Sequence, residues 1–271
     1  MDTRFWGPSG WKLLHMISFV YTYSTTNAKR YAAFFETIPY ILPCKYCRTS
    51  LTDYYREHPF QENNTGISPT LDLKKWLYTI HNCVNHKLRT QGLYHSSNPS
   101  FAYVEKIYKK LLKCPWEQQM AVCWDFLFAV GYHHPKEITR HELPMPNCPK
   151  EVYRCKKHCE KNKWNVLPMK WRMYWFKRFW EFLPGVLPIS INLHWMAAEK
   201  IHPPTLDSRN STMEWLWKIR CTMDSSFKDP YTTICKKIAG YSSECGHKNK
   251  GITCRRIRKQ HSKRRKTIKK E

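Results

Sequence analysis

The sequence predicts an all-α protein whose first 90 residues form a small bundle of helices. Apolar side chains recur at helical spacing in residues 9–22 and 31–41. Residues 71–89 make a longer periodic run that contains neither proline nor glycine. No strand-like alternation separates these segments, so the sequence does not predict a βαβ unit. The pattern is instead typical of a helical bundle.

The ends of the predicted helices are marked by capping and helix-breaking residues. Ser9 is placed to cap the first helix, and Pro43 ends the second. A third helix is predicted over residues 48–57, where His58 and the following proline close it. Residues 61–70, QENNTGISPT, have the composition of a loop and separate this helix from the fourth.

Composition favours a globular protein with acidic partners. The 271 residues are 42% hydrophobic, which is enough for one or two domains. The 12 tryptophans predict bulky helix packing or ring-stacking sites. The formal charge of +25 favours nucleic acid, an anionic membrane surface or a phosphate-bearing cofactor.

Twelve cysteines need an explanation other than routine secretion. The N-terminal sequence MDTRFWGPSGWK has no basic region followed by an apolar run, so no signal peptide is predicted. No uninterrupted apolar stretch reaches the roughly 18 residues that span a bilayer. Metal binding, redox catalysis and an unusual oxidising compartment therefore stay open for the cysteines.

An internal duplication is indicated by three segments that recur in the same order. The pairs are WKLLHMISFVYT (11–22) with WDFLFAVGYHHP (124–135), YAAFFETIPYILPC (31–44) with YWFKRFWEFLPGVLPI (174–189), and WLYTIHNCVN (76–85) with WLWKIRCTMD (215–224). The second copy carries an insertion at 136–170 and replaces polar residues of the first. Phe128 corresponds to His15, Ile189 to Cys44, Arg220 to His81, and Asp224 to Asn85. Chance similarity between Trp-rich helices is the alternative.

Three regions follow from these observations: a helical domain at 1–115, a second helical domain at 116–245, and a basic tail at 246–271. The tail, GHKNKGITCRRIRKQHSKRRKTIKKE, has almost no apolar content. It is expected to be disordered and to attract nucleic acid or other polyanions. A solvated tail that only aids solubility is the simpler alternative.

The segment LPCKYC places Cys44 and Cys47 three residues apart behind a proline. Zinc needs four ligands, and the chain has no second CxxC, but Cys155 and Cys159, with His158 between them, could supply the other half of such a site. A disulfide within one helical turn is strained and reducible, which is more typical of catalytic pairs than of structural ones. At a helix N-terminus the first thiolate would be stabilised by unpaired N–H groups, as thiol–disulfide exchange requires.

The segment HNCVN adds polar groups to an apolar helix. His81 and Asn85 are four residues apart and share one helical face, and Trp11 and His15 have the same spacing in the first helix. Buried polar groups need partners, and a planar ligand rich in heteroatoms would satisfy both pairs. Taken singly, each residue could be a core histidine bonded to backbone or a capping asparagine.

Together, WGPSGWKLLH (6–15), LPCKYC (42–47) and HNCVN (81–85) closely resemble the Erv/ALR family of FAD-linked sulfhydryl oxidases. The resemblance covers about residues 4–115. It implies a four-helix bundle that holds FAD without a glycine-rich dinucleotide loop, and this chain has no GxGxxG. The WGPxxW motif, the basic chain and the extra domain look most like members encoded by large DNA viruses.

The resemblance implies roles for individual residues. Cys47 would form the charge-transfer thiolate beside the flavin, and Cys44 would exchange with the incoming dithiol. The implied FAD-binding residues are Gly7, Pro8, Trp11, His15, His81, Asn82, Asn85 and Lys87. Cellular members often have arginine at the position of Pro8, so one phosphate or ribose contact is expected to be missing or replaced.

The other cysteines depart from the cellular pattern. Members with a disulfide staple on the fourth helix have a cysteine just before the HN motif, where this chain has Thr79 and Ile80. Cys83 and Cys114 are available for another pairing that the sequence does not specify. Many members carry a shuttle dithiol on a flexible arm, and the candidates here are Cys155 and Cys159, ahead of Cys245 and Cys254.

The resemblance therefore predicts an enzyme that oxidises dithiols in protein substrates and passes the electrons through FAD to O2, giving H2O2. The second domain would dock on the first as a pseudo-dimer or support a true homodimer. The viral affinity implies that the protein works in host cytoplasm or in virions. The competing hypothesis is a non-enzymatic, zinc-clipped protein that binds nucleic acid through its basic tail.

Overall fold

The computed structural model describes residues 1–61, 65–135 and 169–241. Within these ranges the chain is helical, and its one β feature is an isolated bridge between Gln61 and Ile67. The helices are α1 (Thr3–Val20), α2 (Thr25–Ile41), α3 (Lys45–Glu57), α4 (Leu73–Thr90), α5 (Phe101–Leu111), α6 (Trp116–Ala121), α7 (Trp124–His133), α8 (Met169–Val186), α9 (Ile189–Ile201), α10 (Arg209–Met223) and α11 (Tyr231–Gly240). The predicted all-α class is confirmed.

The four helices predicted for the first 90 residues are present with shifted ends. α2 is capped by Ser24, whose side chain accepts the N–H of Asn27, and α4 is capped by Asp72. The predicted start of α1 was wrong, because Asp2 caps this helix and Pro8 lies inside it. Ser9 is not a cap; its hydroxyl accepts the N–H of Phe126 at 3.0 Å.

Helices α7 to α11 repeat the packing of helices α1 to α5. α1 contacts α4 and α5, and α7 correspondingly contacts α10 and α11. Helix α3 contacts both α2 and α4, and α9 correspondingly contacts both α8 and α10. Between the two sets, the strongest contacts join α1 to α7 and α2 to α8, which are the helices that the sequence pairs as equivalents.

One hydrophobic core runs through both sets of helices. Phe34 of α2 packs against Phe179 of α8 with ring centroids 5.7 Å apart, and Phe126 of α7 meets Phe179 edge-on at 6.4 Å. All three rings are completely or almost completely buried. Burying aromatic surface of this size contributes several kcal/mol in total, so the α1–α7 and α2–α8 contacts are core packing.

Parts of the predicted organisation lie outside the described residues. These are nearly all of the insertion at 136–170, with Cys155 and Cys159, and the tail at 246–271 with Cys254. Cys245 is also outside. Among the helices that the structure describes, none has the length and apolar character needed to cross a membrane.

Candidate functional site

The CxxC pair lies at the start of α3. Cys44 is the N-cap residue, and its sulfur accepts a hydrogen bond from the backbone N–H of Cys47 at 3.3 Å. The Cys44 side chain is 1% exposed, whereas Cys47 is half-buried. Both are free thiols. A sulfur in the cap position meets the positive end of the helix dipole, where a thiolate is favoured.

The two thiols differ in acidity. Burial alone would raise the pKa of Cys44, but hydrogen bonds from Cys47 and the charges of the Met1 ammonium and Arg48 outweigh it and lower the pKa to about 7. The pKa of Cys47 lies well above its ordinary range, because of its hydrogen bond to Cys44, its burial and the neighbouring Cys44 charge. Cys44 therefore ionises first in the reduced pair.

A cluster of aromatic rings joins α1 and α4. Trp11 stacks on His81 with centroids 3.9 Å apart and planes 8° from parallel. His15 lies next to them, with its Nε2 3.1 Å from Nδ1 of His81, and it stacks on Tyr108 of α5. Burial lowers the pKa of His15 to about 3 and that of His81 to about 4, so both rings are neutral. The buried Nδ1 of His15 has no partner in the described structure.

A cavity of about 570 Å³ connects the dithiol to these rings. Its walls are mainly apolar side chains of α1 to α4: Leu14, Ile38, Leu42, Leu51, Leu77, Ile80, Val84 and Leu88. Polar groups of Lys12, Ser50 and Gln91 interrupt them. This size and lining suit a drug-sized or cofactor-sized ligand with a planar apolar body and a few polar edges.

Most of the residues predicted as ligand contacts line this cavity. They are Gly7, Pro8, Trp11, His81, Asn85 and Lys87, together with Cys44 and Cys47. His15 is 1% exposed and lies behind His81. Asn82 is half-buried and is not among the lining residues, since it follows His81 on the neighbouring face of α4.

Lys87 connects α4 to the dithiol helix. Its ammonium donates to the hydroxyl of Ser50 at 2.5 Å and reaches the carbonyl of Tyr46 at 3.5 Å. The charge of Lys87 also acts on the Cys47 thiol, where it partly offsets the factors that raise the pKa. Lys87 therefore holds α3 against α4 and places a positive charge beside the cavity.

Several residues of the site were missed in the sequence, and three of them make contacts that matter here. Arg48 directly follows the CxxC motif, and this position was a visible signal for a charge near the thiols. Tyr108 and Phe126 also line the cavity, and Phe126 comes from the second set of helices. A Cβ atom on Gly10 would lie 2.9 Å from the Phe126 ring, so this close approach requires glycine. No local pattern could have identified that contact.

An arginine lies at the corresponding place in the second set of helices. Arg220, the counterpart of His81, lies over the rings of Trp124 at 5.4 Å and Phe128 at 5.8 Å. It also covers the ring of Phe227 at 3.7 Å. Trp124 and Phe128 are the counterparts of Trp11 and His15. A cation–π stack in this half thus occupies the position of the ring stack that borders the cavity in the first half.

The described residues contain no group of three or more histidine, cysteine or acidic side chains that could hold a metal ion. Cys155 and Cys159, which the zinc hypothesis paired with the CxxC motif, are outside the described ranges. Among the described residues, Cys44 and Cys47 lie at the wall of the cavity.

Comparison with known proteins agrees with this geometry. Residues 8–107 match the sequence model of the Erv1 / Alr family. The chain is 33% identical over 88 residues to the probable FAD-linked sulfhydryl oxidase R368 of Acanthamoeba polyphaga mimivirus, covering 32% of this chain and 60% of that protein. It is 30% identical over 92 residues to the putative FAD-linked sulfhydryl oxidase 347L of Invertebrate iridescent virus 6, covering 32% of this chain and 83% of the relative.

A cellular relative matches the same part of the chain. The mitochondrial FAD-linked sulfhydryl oxidase ERV1 of Saccharomyces cerevisiae is 30% identical over 90 residues, which cover 32% of this chain and 45% of the yeast protein. No solved structure matches the chain. The family match, the viral relatives and the position of the dithiol on the cavity lead to one conclusion: the chain belongs to the Erv1 / Alr family.

Proposed function

We propose that the protein is an FAD-linked sulfhydryl oxidase. It takes two electrons and two protons from a dithiol of a protein substrate, which becomes a disulfide, and reduces O2 to H2O2. The observation that carries this proposal is a single cavity bordered by Cys44 and Cys47 at one side and by Trp11 and His81 at another. The names of the viral and yeast relatives support the cofactor and the reaction class.

The dithiol would react by two exchanges. A substrate thiolate attacks the sulfur of Cys44 in the oxidised pair, forms a mixed disulfide and displaces Cys47. The second substrate thiol then attacks the substrate sulfur and releases Cys44 as a thiolate. A pKa of about 7 makes Cys44 a good leaving group in this second step. Without flavin, the first negative charge of the reduced pair lies on Cys44. The role of Cys47 as the thiolate beside the flavin, which the family resemblance implies, stays a prediction.

The cavity residues would hold and shield the cofactor. When bound, FAD supplies a two-electron acceptor that oxygen can reoxidise. Trp11 and His81 offer a flat, uncharged stacking surface, and Asn85 offers an amide at the cavity edge. Lys87 adds a positive charge beside Cys47. The fit rests on these features and on the unpaired, buried Nδ1 of His15 behind the stack.

We also propose that α7 to α11 are a degenerate second copy, docked on the first as a pseudo-dimer. The repeated helix contacts and the pairing of α1 with α7 and α2 with α8 support it. The stack of Arg220 on Trp124 supports a second copy without a flavin. One FAD per chain is the expected stoichiometry. A true homodimer of such chains stays a prediction from the family resemblance.

The shuttle dithiol, the tail and the location also remain sequence-based proposals. Replacing both Cys155 and Cys159 by serine should slow oxidation of protein dithiols and spare small dithiols; equal rates on both substrates would contradict a shuttle. Contact of residues 246–271 with nucleic acid or another polyanion follows from their charge. Action in host cytoplasm or virions follows from the viral resemblance.

The visible absorption spectrum of the purified chain tests the main proposal. A yellow protein that bleaches with a dithiol, recolours in air and consumes oxygen is the expected result. A colourless protein that stays colourless after FAD is added would contradict it. Metal analysis would then follow, because one bound zinc without flavin favours the nucleic-acid-binding alternative.

A further inference from the structure

A cluster of positive charges adjoins the dithiol where the two sets of helices meet. We call Arg48, Arg172 and Arg209 the arginine cluster. They come from the first turns of α3, α8 and α10. Arg48 follows Cys44 by one helical turn, and its Nη1 donates to the carbonyl of Leu42 at 2.6 Å. The cluster is therefore anchored to the loop that carries the reactive thiol.

No Asp or Glu side chain pairs with the arginine cluster in the described part of the chain, and the acidic groups that act on Arg48 are the thiols of Cys44 and Cys47. Arg48 donates to a backbone carbonyl. Arg209 donates through Nε to the carbonyl of His134 at 3.4 Å, and its guanidinium lies over the ring of Tyr132 at 5.2 Å. Arg172 makes neither a hydrogen bond nor an ion pair among the described residues. Three partly buried guanidinium groups thus lack a neutralising carboxylate.

This arrangement is electrostatically unfavourable for the protein alone. Burial, followed by repulsion from Arg172, lowers the pKa of Arg48 to about 10. Burial and the charge of Arg209 similarly lower the pKa of Arg172. One further donor is unsatisfied, since the buried indole N–H of Trp171, the residue before Arg172, has no partner in the described structure. An anionic group placed here would relieve the repulsion and accept hydrogen bonds from the guanidinium groups.

We propose that the arginine cluster binds acidic side chains that flank the thiols of the protein substrate, so that the enzyme selects dithiols in acidic segments. This inference rests on the proposed sulfhydryl oxidase function. Because Arg48 is four residues from Cys44, a carboxylate held by the cluster would bring a thiol a few residues away toward the Cys44 sulfur. The cluster thereby determines substrate choice without touching the reacting atoms.

Charge identifies the occupant as a partner rather than part of this protein. Residues 136–168, which connect α7 to α8, contain more basic than acidic side chains. A second copy of the chain carries a formal charge of +25 and would be repelled. Acidic protein segments complement the cluster and can also carry the dithiol. Nucleic acid is also negatively charged, but it carries no thiol that the enzyme could oxidise.

The test compares two dithiol peptides that differ only in their flanks, which are Asp and Glu in one and Ser and Gln in the other. The wild-type protein should oxidise the acidic peptide with kcat/KM about tenfold higher at low salt. The double variant R172Q/R209Q should lose this preference while oxidising dithiothreitol at the wild-type rate. R172K/R209K should keep it. R178Q, which changes an arginine of the same helix α8 outside the cluster, is the matched control.

A binding measurement separates this inference from the oxidase proposal. Fluorescence anisotropy with cysteine-free versions of the peptides needs no turnover, so it decides the inference even if no oxidation is found. Preferential binding of the acidic peptide, lost in R172Q/R209Q, is the expected result. Equal binding of both peptides, or a preference that survives in R172Q/R209Q, would overturn the inference. Tighter binding of a short oligonucleotide that depends on the same arginines would also overturn it.

Discussion

Trp76 and Trp215 make the same hydrogen bond in the two halves of the protein. The indole N–H of Trp76 donates to the carbonyl of His58 at 2.8 Å, and that of Trp215 donates to the carbonyl of His202 at 3.1 Å. Each histidine follows the last residue of its helix, α3 or α9, and precedes a proline. This shared detail supports the proposed duplication, because chance similarity between Trp-rich helices would not place both acceptors alike.

The matched pair His81 and Arg220 tests whether only the first half holds flavin. His81→Ala removes the ring that stacks on Trp11, so the purified variant should contain several-fold less FAD. Arg220→Ala removes the equivalent group of the second half and should leave the FAD content near one per chain. FAD released by denaturation can be quantified by its absorbance. If Arg220→Ala lost half of its bound FAD, the result would argue for a second flavin site.

Serine substitutions test the dithiol directly. Cys44→Ser or Cys47→Ser should lower the rate of dithiol oxidation by at least about 100-fold, because the disulfide can no longer form. Both variants should keep their flavin, since the cavity walls are otherwise unchanged. Oxygen consumption with dithiothreitol measures the rate. Cys114→Ser, at the half-buried thiol that donates to the carbonyl of Lys110, should behave as wild type.

Arg48 should influence the acidity of Cys44. Its positive charge favours the thiolate, so Arg48→Gln should raise the pKa of Cys44 from about 7 toward its ordinary value. At pH 7 the alkylation of Cys44 in the reduced protein should slow, which peptide mass spectrometry after a timed iodoacetamide pulse can measure. Arg56→Gln is the control on the same helix, where Arg56 is exposed and pairs with Asp53. Unchanged alkylation in Arg48→Gln would contradict the electrostatic role.

Gly10 permits the close packing of α1 on α7. The Cβ of Gly10→Ala would lie 2.9 Å from a Phe126 ring carbon, so either the ring or α1 must move. A loss of about 1–3 kcal/mol in the free energy of unfolding is expected from such overpacking. Urea denaturation measures it. Gly240→Ala, where the added methyl has open space, should change stability far less.

Acid should destabilise the protein through its buried histidines. The folded pKa of His15 is about 3, below its ordinary value of 6.5, so the unfolded chain binds a proton that the folded chain excludes. The contribution of uncharged His15 to the free energy of unfolding is complete above pH 6.5 and is lost as the pH falls toward 3. Between pH 7 and pH 5, the free energy of unfolding of His15→Gln should therefore fall by roughly 2 kcal/mol less than that of the wild-type protein. An unchanged pH dependence of stability in His15→Gln would contradict this account.

Several features could be predicted from the sequence because they depend on local spacing. Helical periodicity identified α1 to α4, although a proline and glycine pair displaced the predicted start of α1. The three motifs identified the family, and the position of Cys44 behind a proline predicted its place at a helix start. These properties involve residues within a few turns of one another, where steric and hydrogen-bonding rules act directly.

Other features were decided only by the tertiary structure. His15 meets His81 across 66 residues of chain, and Phe126 reaches Ser9 across 117. The gathering of Arg48, Arg172 and Arg209 depends on how α8 and α10 pack beside α3. The sequence by itself determined the family and the first four helices, and it predicted the CxxC pair as the reactive dithiol. Packing between distant helices decided the cavity, the acidity of Cys44 and the charge beside it, because each depends on neighbours that only the folded chain brings together.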